Sequence, residues 1–143
     1  MTLYVMDTDH TSLVERGHLP IRRRILAARR NSDEISTTVV TLEEQFAGRL
    51  AQIHRAQTPE LLSVAYRRLK GTFELFADLD VLDYGTVAGA HFQSLRRAGL
   101  RIGTHDLRIA SIVLANEGIV LTRNQRDFEK VPGLAIQDWA LED

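Results

Sequence analysis

The chain has no cysteine in its 143 residues. That excludes disulfides and thiolate metal sites and fits a reducing cytosol. No apolar run approaches the roughly 20 residues of a membrane-spanning helix. The stretch before Asp7, "MTLYVM", has no basic n-region, so no signal peptide is expected and the predicted location is cytoplasmic. Internal repeats, low-complexity tracts and linkers are also missing. Net charge is only −1, so nucleic-acid binding is not announced by overall charge. The histidines at 10, 18, 54, 91 and 105 show no H-x-x-x-H or similar ligand spacing, which argues against zinc. Acids are absent from residues 16 to 30, which hold Arg16, Arg22, Arg23, Arg24, Arg29 and Arg30. Such a patch could track a phosphate backbone. It could equally be a solvated helix face or pair with an acidic partner protein.

What is present is the composition of a soluble globular protein, 44% apolar and 26% charged. A chain of this length fits one domain, residues 1 to 143, able to bury roughly two-thirds of its unfolded surface. β-Branched and apolar runs predict strands at "TLYVM" (2 to 6), "EISTTVV" (34 to 40) and "GIVLT" (118 to 122). Weaker strand signals lie at 78 to 84 and 134 to 139. Helical patterns cover 20 to 30, 41 to 55, 60 to 77, 86 to 98 and 104 to 116, and another helix begins near residue 10. Alternation of this kind predicts βαβ units and a mainly parallel sheet covered on both faces. Functional sites in such sheets gather beyond the carboxyl ends of the strands.

Acids recur at those places. Asp7 ends the first strand, where it could be a turn or capping acid; Asp9 or Thr8 could cap the helix that follows. In "TLEE" the spacing matches a capping box, with Thr41 as N-cap and Glu44 reaching back to the backbone. That leaves Glu43, predicted to head a core-facing stripe of Phe46, Ala47 and Leu50, although a first-turn acid also suits the helix dipole. Thr104 is a plausible N-cap for the helix after it, with Gly118 just beyond the far end. Asp106 then heads a stripe of Ile109, Ala110 and Val113. After the clearest strand, "TRNQRDF" supplies Asn124 and Asp127, which also have turn and helix-start readings. If these segments converge, several carboxylates share one small volume, which is costly unless something neutralises them. An all-oxygen site without cysteine suits Mg²⁺ or Mn²⁺, able to orient phosphate and activate water.

Taken in order, "YVMDTDHTS", "TTVVTLEEQFAGRL", "IGTHDLRIASIVLA" and "LTRNQRDFEKVPGL" resemble the PIN-domain ribonucleases, specifically the VapC-type toxins. The likeness runs from about residue 3 to Trp139. It implies a three-layer α/β/α sandwich, usually homodimeric, inhibited by a small VapB-type antitoxin and cleaving RNA of the tRNA or rRNA class with a metal ion. Carried over, Asp7 and Asp106 are the metal ligands, and Glu43 completes the acidic cluster. Asn124 stands where many PIN domains have an acid, so Asp127 or Asn124 would complete the site. Asp9 is a loop or capping acid with at most a supporting role, and His10 a bystander. Arg22, Arg23 and Arg24 would help hold the RNA. The neutral amide at 124 also leaves open a PIN-like module that binds RNA or a partner without cutting.

Overall fold

The computed structural model describes residues 1 to 141. Its strands are β1 (Leu3–Met6), β2 (Glu34–Thr38), β3 (Asp80–Leu82), β4 (Ile119–Leu121) and β5 (Ala135–Gln137). Its helices are α1 (Thr8–Glu15), α2 (Leu19–Arg30), α3 (Val39–Arg55), α4 (Pro59–Ala77), α5 (Thr86–Arg97), α6 (Thr104–Ala115) and the short α7 (Gln125–Phe128). The strands form one five-stranded sheet, ordered β3-β2-β1-β4-β5, with every neighbouring pair parallel. The predicted alternation is therefore realised, including both weaker strands.

Alternation within the central strands explains the two covering layers. Val5 and Val120 point to one face and are fully buried with Leu107, Ile109, Ile112 and Val113 of α6 and Phe128 of α7. Met6 and Leu121 point to the other, against Leu13 of α1 and Ile21, Ile25 and Ala28 of α2. A parallel sheet loses water on both faces, so neighbouring residues of one strand serve different cores. This is the α/β/α sandwich. Helices α3 and α4 pack on each other and on α1. A polar network ties the three: Arg49 Nη2 donates to Glu15 Oε2 (2.9 Å), Arg49 Nε to Thr72 Oγ1 (2.9 Å) and Thr72 Oγ1 to Glu15 Oε1 (2.6 Å).

Helix starts differ from expectation. The β-branched run 34 to 40 is not all strand: Val39 and Val40 already belong to α3. The N-cap is Thr38, whose Oγ1 accepts the Thr41 N–H at 3.1 Å. Thr41 is thus three residues inside the helix, and the capping box does not form. Local propensity favoured extending the strand, but a well-placed hydroxyl cap ends it earlier. Thr104 is likewise the first helical residue of α6 rather than its cap, which is Gly103. At the other end of α6 the left-handed turn falls on Glu117 (φ 53°), not on Gly118. Gly118 serves a different need: a Cβ there would lie 3.1 Å from both the Leu3 carbonyl oxygen and Val5 Cγ2, so any side chain would press β1 and β4 apart by a few tenths of an ångström.

Candidate metal centre

From β1 the chain proceeds to β2 on one side, and β4 later pairs with β1 on the other. Strand order reverses at this point, the place where such sheets bind ligands outside their carboxyl ends. Asp7 follows β1 there, Thr122 to Asp127 follow β4, and the opening turns of α3 and α6 bring Glu44 and Asp106.

Asp7 is the N-cap of α1 and stands at this edge. Its Oδ1 accepts the His10 N–H at 2.9 Å as the N-cap of α1, and the Thr122 hydroxyl bonds its carboxyl as well. Only 5% of the residue is exposed. Burial pushes its pKa up to about 7, aided by the charges of Asp9 and Asp106 and only partly offset by its hydrogen bonds. Asp106 heads the fully buried stripe Ile109, Ala110, Val113, as expected. Its pKa is also raised, first by burial and then by Glu44 and Asp127. Asn124 joins the last two acids: its Nδ2 lies 3.1 Å from Asp127 Oδ2 and 3.4 Å from Asp106 Oδ2. Asp127 also accepts from Lys130 Nζ at 3.2 Å, and these two donors hold its pKa below the usual carboxylate range. Asp9 stands at the edge, gripped by the Arg123 guanidinium through Nε (2.6 Å) and Nη2, which lowers its pKa. Asp7, Asp9 and His10 each place a potential ligand atom within 4.8 Å of the others, a group that could hold a metal ion.

The core-facing stripe predicted behind Glu43 is a correction. With α3 beginning at Val39, residues Phe46, Ala47 and Leu50 do not form a buried stripe, and Leu50 is 47% exposed. The buried face carries Val40, Thr41 and Gln45 instead. The Glu43 side chain is 60% exposed and lies 3.3 Å from His105 Nε2. Glu44 is the acid that turns inward: its Oε1 accepts from Thr8 Oγ1 at 2.6 Å, and its charge acts on Asp106. With the cap at Thr38, three residues before Thr41, the helix presents a different face, on which Glu43 and Glu44 stand about 100° apart. The signal for Glu44 was present, since it stands three and four residues after two buried positions, but the capping-box match explained it away. Thr122 and Thr8, both hydroxyl donors to site acids, gave no sequence signal beyond turn chemistry. Arg22 and Arg23 stand exposed on α2 and Arg24 is half-buried there; Arg22 Nη2 lies 3.4 Å from the Val14 carbonyl oxygen.

Scanned against models of known protein families, the chain matches none. Individual relatives are clear, however. It is 31% identical over 113 residues to the tRNA(fMet)-specific endonuclease VapC of Salmonella typhimurium, covering 76% of this chain and 78% of that protein. The chain belongs to the VapC ribonuclease family. The VapC of Shigella flexneri, with the same descriptive name, is 32% identical over 114 residues, 77% of this chain and 79% of that one. Among solved structures, DNA-bound VapBC from Salmonella typhimurium superposes with a TM-score of 0.77 at 28% identity, covering 97% of this chain and 99% of that VapBC chain. The fold found here is thus that of a VapC protein over nearly its whole length.

Proposed function

We propose that this VapC protein is a Mg²⁺-dependent endoribonuclease in which Asp7 and Asp106 hold the ion, with Glu44 rather than Glu43 as the third carboxylate and Asp127 supporting through Asn124. The observation that carries this reading is the convergence of Asp7, Glu44, Asp106 and Asp127 at the carboxyl edge of the sheet, where burial and mutual repulsion raise the proton affinity of Asp7 and Asp106. Two oxygen donors, Asp7 and Asp106, that lose water and face like charge fit a hard divalent cation. Mg²⁺ bound there supplies charge neutralisation at the phosphate and a more acidic water.

The protein's own contribution is placement. Thr122 and the α1 backbone orient Asp7; Thr8 orients Glu44; Asn124 holds Asp106 and Asp127 in fixed relation. The exposed arginines of α2 would hold the RNA backbone by charge. Names of the Salmonella and Shigella relatives make tRNA the first substrate class to test. The Salmonella VapBC structure supports a VapB-type antitoxin as partner, in keeping with a cytoplasmic toxin. The exposed Leu61, Leu62, Tyr66 and Phe73 of α4 supply apolar surface for that partner or for a second copy in a homodimer.

The test is cleavage by the purified protein, free of antitoxin. It should cut tRNA with Mg²⁺ present and stop on addition of EDTA. An Asp7→Asn or Asp106→Asn protein that cuts as fast as wild type would refute the ligand assignment.

A further inference from the structure

His10 is buried completely in the first turn of α1, yet one of its ring nitrogens has no hydrogen-bond partner among the described residues. The other nitrogen decides the chemistry. The Trp139 main-chain N–H donates to His10 Nε2 at 3.0 Å. An amide hydrogen can point only at an unprotonated nitrogen, so Nε2 is the acceptor and the ring proton of the neutral imidazole sits on Nδ1. Asp138 does not upset this: its Oδ1 is 3.6 Å from Nε2 and already accepts the Ala140 N–H at 2.8 Å. Nδ1–H therefore faces inward, and 3.7 Å away is Asp7 Oδ1. That is too long for a hydrogen bond as it stands. A movement of about 0.5 Å brings the pair within hydrogen-bonding distance.

We propose that His10 is the positioning residue for Asp7: the segment after β5 locks its tautomer through Trp139, and the Nδ1–H then fixes the Asp7 carboxylate for metal binding. This rests on the metal reading above. It also removes His10 from the candidate ligands, because a nitrogen carrying the proton has no lone pair to give. His10 would act as an outer partner that orients a ligating carboxylate, and loss of such partners weakens metal binding by about 10- to 100-fold.

Two substitutions separate the two ring nitrogens. In His10→Asn the side-chain amide can occupy the Nδ1 place and donate to Asp7. In His10→Gln the amide oxygen can occupy the Nε2 place and keep the bond from Trp139, but nothing donates to Asp7. Calorimetric titration of the full chain with Mn²⁺ should show His10→Gln binding at least about 10-fold more weakly than wild type, and His10→Asn within a few-fold of it. A His10→Gln protein as tight as wild type overturns the role of His10 alone. Equal losses in both variants assign His10 to packing and overturn it too. A wild type without Mn²⁺ affinity overturns the metal reading, and this role with it. Imidazole ¹⁵N spectra of the unsubstituted protein give a check independent of variant folding: Nδ1–H, Nε2-acceptor signals are expected for His10, and an Nε2–H tautomer would refute the assignment.

Discussion

Thr8 Oγ1 donates to Glu44 Oε1 at 2.6 Å, joining the first residue of α1 to the second turn of α3. The bond turns Glu44 toward Asp106 while its neighbour Glu43 faces water. Glu44→Gln should therefore lower kcat for RNA cleavage by about 10²-fold, the scale of losing one placed electrostatic group. Glu43→Gln should cost no more than about fivefold, the scale of an exposed ion pair. Comparable losses in both variants, measured at saturating Mg²⁺, would return Glu43 to the site.

The acid–base balance at Asp7 has a signature in stability. In the folded chain Asp7 titrates at about 7, against roughly 3.9 when unfolded. The folded state thus holds that proton more tightly, and the Asp7 contribution falls as pH rises from about 4 to 7. His10 works in the opposite sense: burial lowers it to about 4, against roughly 6.5 unfolded, so its contribution rises with pH over that window. In EDTA, urea denaturation should show Asp7→Asn gaining on wild type steadily between pH 4 and 7. Parallel profiles would contradict a buried, proton-hungry Asp7. Mn²⁺ should stabilise wild type more at pH 8 than at pH 5, because below 7 it must displace a proton.

Asn124 donates where an acid would repel. Asn124→Asp replaces an amide lying 3.1 Å from Asp127 and 3.4 Å from Asp106 by a third carboxylate. Metal-free protein should melt at a lower temperature than wild type because like charges are brought together, while Mn²⁺ binds more tightly because charge is added. A metal-free melting temperature equal to that of wild type would place Asn124 outside this network.

Replacing Arg22, Arg23 and Arg24 together by Ala should weaken RNA binding and flatten its salt dependence. For single-stranded RNA, each phosphate that an arginine no longer neutralises reduces the slope of log K against log salt by about 0.7. An unchanged slope would assign these arginines to the antitoxin or to solvent.

Much of this protein was legible in its residues. Strand and helix alternation predicted the parallel sheet because a strand buried on both faces must be apolar throughout, and "YVM" and "IVL" are. Asp106 was legible from its place in the first turn of α6, ahead of the buried Ile109, Ala110 and Val113, in a helix that is also buried at Leu107, Ser111 and Ile112. The positions of Asp7 and Asp127, at strand end and helix start, followed from connectivity. Glu43 and Glu44 could not be told apart, because a cap three residues early turns the helix face, and the hydroxyl of Thr38 set that start. The contacts of Thr8 with Glu44, Thr122 with Asp7 and Trp139 with His10 span separations no local pattern encodes. The residues themselves determined which chemistry was available, carboxylates without thiols. The tertiary structure alone decided which carboxylates lost their water, since desolvation and mutual repulsion depend on where the chain closes on itself.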